Sequence, residues 1–132
     1  MIPVGYMLFL QFLTGIPKPD FLLDLDGPET LWELSKIIYD YPYYLQDLSH
    51  LPLFAGLAWL WSWYLGGPAE GKRICGKALV ISLTYGVFNE FIQAFIPSRF
   101  PSTGDLMMNV AGVFCGVWLH GLIVQRSKDR AE

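Results

Sequence analysis

Hydrophobic and polar positions along the chain fall into long apolar blocks separated by short polar ones. Residues 48–65, LSHLPLFAGLAWLWSWYL, hold no Lys, Arg, Asp or Glu and finish in Trp59, Trp61, Trp63 and Tyr64, the aromatic belt expected at a membrane interface. Residues 76–96, GKALVISLTYGVFNEFIQAFI, stop at Pro97, and residues 105–124, DLMMNVAGVFCGVWLHGLIV, stop at the polar tail 125–132. Each block comes close to the ~20 residues that a helix needs to cross ~30 Å of hydrocarbon. The N-terminal run IPVGYMLFLQFLTGI is shorter and is interrupted by Gln11. It lacks the basic flank and small-residue cleavage site of a secretory signal, so residues 1–17 are read as a retained first span. A re-entrant or interfacial helix is the alternative.

Composition supports the same class. The chain is 53% hydrophobic and 16% aromatic, with mean hydropathy +0.36, and only 16% of its residues are charged, where soluble domains carry about 25%. The prediction is one all-α domain of 132 residues, a small transmembrane helical bundle of three spans plus the N-terminal one. Residues 18–47 differ in kind, with Asp20, Asp24, Asp26, Glu29, Glu33, Asp40 and Asp47 against Lys18 and Lys36. Within them GPETLWELSKIIYDY places Pro28 at a helix start, acids in the first turn, and Leu31, Leu34, Ile38 and Tyr41 at helical spacing. That pattern predicts an amphipathic helix on the membrane surface. Its acids do not follow the spacing of a calcium loop. Cys75 and Cys115 have no Cys or His partner at metal-ligand spacing, so no metal and no cofactor is expected. No basic tract suggests nucleic acid.

Positive charge sets the orientation. Lys72, Arg73 and Lys77 follow the 48–65 block, and Arg126, Lys128 and Arg130 follow the last one, so six of the 9 Lys and Arg residues fall on one face. That face is expected to be cytoplasmic, with the C-terminus inside. The start of 48–65, the end of 76–96 and the start of 105–124 then share the outer side, and the polar residues lie at those ends. His50, Asn89, Glu90, Gln93, Arg99, Asp105 and Asn109 are the candidate ligand-binding residues, with Glu90 and His50 the candidates for any catalysis. Gly86, Asn89, Glu90 and Gln93 are spaced i, i+3, i+4, i+7, and Asp105, Asn109, Gly112 and Gly116 recur every fourth position, so each set forms one helical stripe. Gly112 and Gly116 are expected to let a neighbouring helix approach and bring the two stripes together. Each amide and Asp105 has a plain structural reading as packing glue or helix-end charge. A carboxylate at the depth of Glu90 costs ~3 kcal/mol when it faces lipid, which makes it a functional candidate. His120 lies at the opposite end and is set aside.

His50 three residues after Asp47, Glu90-x-x-Gln93, Arg99, and Asp105-x-x-x-Asn109-x-x-Gly112 with Gly116 together resemble the VanZ-like family of small bacterial membrane proteins. Two positions depart from the pattern: Asn89 stands where an acid often precedes the Glu, and Leu48 stands where a Lys often follows the Asp. The resemblance implies a multi-pass protein of the bacterial inner (cytoplasmic) membrane, and the founding member's link to teicoplanin resistance implies a tie to the cell envelope. Two functions follow from these residues. One is a binding protein whose outer polar pocket holds a membrane lipid, a lipid-linked envelope precursor or a lipophilic glycopeptide. The alternative is an intramembrane enzyme on a lipid-linked substrate, with Glu90 or His50 as general base and Arg99 stabilising negative charge.

Overall fold

The computed structural model describes residues 2–24, 27–40, 42–68, 72–96 and 102–130, the side chain of Tyr43 excepted. Among them there are helices and no strands. They are α1 (Ile2–Gly15), α2 (Pro19–Asp24), α3 (Glu29–Tyr39), α4 (Tyr43–Tyr64), α5 (Gly76–Gln93) and α6 (Thr103–Asp129).

The ends of these helices follow local chemistry. Pro28 and Pro42 stand at the N-caps of α3 and α4, with φ of −56° and −54°. Proline's fixed φ suits a helix entry and its missing N–H costs nothing there. Pro42 therefore starts α4 ahead of the predicted residue 48, and α4 takes in Asp47. Ser102 caps α6, its hydroxyl accepting from the Gly104 N–H at 3.1 Å, so α6 begins before Asp105 and runs on through the basic tail. The helix expected over 27–41 is α3, while Tyr41 lies outside the described residues. The short α2, which packs on α3, has no counterpart in the sequence reading.

Helices α4 and α6 run side by side in the same direction, because successive contacts climb both chains together. Asp47 meets Gly104, Leu51 meets Gly112, Ala55 meets Gly116, and Trp59 stacks edge-on against His120 at 5.3 Å. A Cβ on Gly112 or Gly116 would strike the α4 backbone at the carbonyl oxygens of Leu51 and Ala55. The two glycines thus bring α6 against α4, rather than α6 against α5 as their stripe had suggested. The closeness between α5 and α6 comes from Gly86, whose missing side chain leaves room for the Phe54 ring and the Asn109 Cβ. Helix α5 runs opposite to α6, and α1 runs along α5, tied by the Tyr85 hydroxyl donating to Met7 O at 2.6 Å. Ser35 and Tyr39 of α3 donate to Pro17 O and Ile16 O at 2.6 and 3.0 Å, which holds α3 to the exit of α1.

The core around Leu10, Phe54, Leu57, Val113 and Val117 is apolar, yet α5 and α6 also bury polar residues while turning large apolar ones outward. The inward stripe of α5 is Ala78, Ser82, Tyr85, Gly86, Asn89, Glu90 and Gln93, while Val80, Val87, Phe88 and Phe91 point outward. The inward stripe of α6 includes Asp105, Asn109 and His120 between glycines and valines, and Met107, Phe114, Trp118 and Ile123 are exposed. By length and composition α6 is the one described helix long and apolar enough to cross a membrane. Helix α1, with 14 residues, reaches about 21 Å at 1.5 Å per residue, well short of a full hydrocarbon layer. Helices α4 and α5, with 22 and 18 residues, extend about 33 and 27 Å. Of the bundle of three spans plus an N-terminal one expected from the sequence, α6 alone among the described helices therefore meets both the length and the apolar composition of a span.

Candidate functional site

Three helices deliver the predicted polar residues to one end of the bundle. His50 sits two turns into α4, Glu90 and Gln93 lie in the last turn of α5, and Asp105 and Asn109 open α6. Because α5 runs against α4 and α6, its end meets their beginnings, and residues far apart in sequence come to one level. His50, Asn89, Glu90, Gln93, Asp105 and Asn109 are all buried. Arg99 lies outside the described residues.

A directed chain of contacts links three of them. Asn109 Nδ2 donates to Glu90 Oε1 at 2.9 Å, and Asn109 Oδ1 lies 2.9 Å from His50 Nδ1. On the far side of the ring, His50 Nε2 stands 3.8 Å from Asp105 Oδ1. The imidazole is held flat against the core by Phe54, their planes inclined by 7° at a centroid distance of 6.2 Å. Glu90 and His50 therefore do not touch; Asn109 joins them. In a low-dielectric interior such a chain rigidifies its members, and an unmet group in it is costly.

The remaining residues divide between this chain and its borders. Asn89 turns the other way, toward α1, where its Oδ1 lies 2.7 Å from the Thr14 hydroxyl; that hydroxyl is also 2.8 Å from Leu10 O and has one hydrogen to give. Gln93 is fully buried, and neither atom of its amide finds a hydrogen-bond partner among the described residues. Asp47 leaves His50 to Asp105. Its Oδ2 lies where a Cβ on Gly104 would come within 3.2 Å, beside the positive dipole end of α6.

Next to the polar chain a groove of about 570 Å³ opens between the end of α1, the end of α3 and the first half of α4. Leu13, Ile38, Leu45 and Leu53 make it largely apolar, and Thr14, Tyr39, Ser49 and His50 add polar atoms along its wall. Its volume falls in the range of small-molecule sites, roughly 300–1,000 Å³. Sequence reasoning missed Thr14, Tyr39 and Ser49 as wall residues. Thr14 follows Gln11 at i+3 inside the N-terminal apolar run, a polar pair on one face that could have marked where α1 meets the site. Tyr39 and Ser49 carry no such signal. Among the described residues no group of three or more His, Cys, Asp or Glu side chains is placed to hold a metal ion.

Neither the curated proteins nor the solved structures yield a match to the chain. A family model, VanZ/LLP1, matches residues 4–124, a span that takes in most of α1, the linked polar residues of α4, α5 and α6, and the glycines that join α6 to α4. The chain belongs to the VanZ/LLP1 family.

Proposed function

We propose that this protein is a multi-pass component of the bacterial cytoplasmic membrane, with its C-terminus in the cytoplasm and a headgroup-binding site at the outer end of its bundle. The single observation behind this reading is the buried Glu90, Asn109, His50 chain, flanked by Asp105 and bordered by an apolar groove. Polar groups this deep stabilise nothing that valine and leucine could not, and a bundle whose outward face is Phe, Trp, Val and Leu keeps them for a purpose. The groove takes the hydrocarbon part of an amphiphile, and the polar chain takes its headgroup. The amphiphile is a membrane lipid, a lipid-linked envelope precursor or a lipophilic glycopeptide such as teicoplanin, and Arg99 would add a positive donor for a phosphate or carboxylate.

Two measurements test this. Native mass spectrometry of the protein released from bacterial membranes is expected to show a retained amphiphile on the wild type, and a loss of at least tenfold in its occupancy in Leu45→Trp, which fills the groove from its exposed wall. His50→Gln is expected to weaken retention to a similar extent. Equal occupancy in all three proteins would sink the proposal.

Topology is tested separately by single cysteines introduced in place of Lys72, Arg130, Gly27 and Ser102 in a Cys75→Ala, Cys115→Ala background. Helix ends place the first two at the opposite end of the bundle from the polar site, since the loop carrying Arg73 packs on Gly121 late in α6. A membrane-impermeant thiol reagent added to intact spheroplasts is expected to label positions 27 and 102 and to spare 72 and 130. Labelling of position 130 from outside would reverse the orientation.

A further inference from the structure

The hydrogen bonds of the polar chain have directions, and those directions fix more than position. A carboxylate can only accept, so Asn109 turns its NH₂ toward Glu90 Oε1, at 2.9 Å, and leaves Oδ1 facing His50 Nδ1, also at 2.9 Å. An amide oxygen can only accept as well. Nδ1 is therefore the donor and holds the hydrogen, and in a neutral imidazole, which has one, Nε2 is bare. Protonating Glu90 reverses every step. Its O–H donates to Asn109 Oδ1, the amide turns over, Asn109 Nδ2 donates to Nδ1, and the ring's hydrogen moves to Nε2 by exchange. The only net change is the one proton gained by Glu90.

We infer that Asn109 is a positioning residue that couples the charge of Glu90 to the tautomer of His50. With Glu90 ionised, the site presents a bare Nε2, which accepts a hydrogen bond from a ligand hydroxyl or ammonium group. The ring walls the apolar groove, so a headgroup donor has a path to it. Asp105 Oδ1, 3.8 Å from Nε2, is a second acceptor on the same side, and a donor set beside the pair reaches both at hydrogen-bond distance. The choice of ligand group rests on the headgroup-binding reading; the coupling through Asn109 does not.

The test is nitrogen NMR of full-length protein labelled in histidine and held in phosphatidylcholine nanodiscs, at a pH where the ring is neutral. A His120→Gln background leaves His50 as the one signal. The wild-type network is expected to show a single tautomer, protonated at Nδ1 and bare at Nε2. Glu90→Gln, whose side chain can donate as well as accept, is expected to give a mixture of both tautomers, as is Asn109→Leu. Ser82→Ala, on the same inward face of α5 but without a bond to the chain, is expected to keep the single form. Phosphatidylcholine has no headgroup donor. Adding phosphatidylglycerol or phosphatidylethanolamine is expected to shift the Nε2 resonance, the first through a hydroxyl and the second through an ammonium group.

An unchanged tautomer in both Glu90→Gln and Asn109→Leu overturns the coupling whatever amphiphile the protein retains, and a hydrogen on Nε2 in the unsubstituted network overturns the ionised Glu90 and the bare acceptor assigned to His50. The expected tautomer with an Nε2 resonance that neither lipid moves overturns the assignment of a donor headgroup.

Discussion

Gly116→Ala, a change of one methyl group, is expected to destabilise the protein by about 2 kcal/mol. Alanine gains about 1 kcal/mol over glycine as a helix former. Against that, overpacking costs up to about 3 kcal/mol, and here the upper end applies because the new Cβ meets the Ala55 carbonyl of α4 rather than a side chain that could rotate away. The contrast is Gly5→Ala in α1, where a Cβ meets nothing within 4 Å, and where the same exchange is expected to stabilise by up to about 1 kcal/mol. Thermal unfolding in lipid, followed by tryptophan fluorescence, three of whose five sources, Trp59, Trp61 and Trp63, lie on α4, separates the two signs. Gly112→Ala acts on the same stretch of α4 backbone one turn away, so the double variant is expected to cost less than the two singles added. A Gly116→Ala protein as stable as the wild type would show that α4 and α6 are not in close register along that face.

These glycines also show what the sequence does and does not make legible. The four-residue recurrence of Asp105, Asn109, Gly112 and Gly116 marks one stripe of α6 and says that something approaches it closely. It does not say which helix, because both α4 and α5 are apolar and either could lie there. The neighbour was settled by the partner surface: α4 offers Leu51 and Ala55 backbone at the right rise, whereas α5 offers Glu90 to Asn109 and needs only Gly86 to come near. The polar layer was readable because positive charge orders the ends of the helices, and an alternating up-and-down path then sorts distant residues by level. The bonds inside that layer were not readable. By spacing Asp47, three residues ahead, is the acid placed to orient His50, and that Asp105 faces the ring instead turns on Pro42 starting α4 early enough to carry Asp47 up to the α6 N-terminus. The role of α1 was hidden for another reason. Thr14 is a common residue in apolar helices, and only the packing of α1 beside α5 gives its hydroxyl to Asn89.

Asn109→Leu is expected to be the most damaging single change in the site, at roughly 3–5 kcal/mol. Leucine keeps nearly the same volume, so the loss is electrostatic rather than steric. Removing the amide takes a donor from Glu90 Oε1 and an acceptor from His50 Nδ1 at once, in a place water does not reach. A buried group deprived of its partner costs about 1–3 kcal/mol, and more when it is charged. The same reasoning fixes what a second substitution does. Glu90→Leu in the Asn109→Leu background removes one of the groups left unmet, so the double variant is expected to be less damaged than the sum of the singles by about 1–3 kcal/mol. Chemical unfolding of the four proteins in one lipid gives that coupling energy directly. Strict additivity would mean that Glu90 draws no stabilisation from Asn109, and the chain from α5 through α6 to the α4 imidazole would then have no energetic reality.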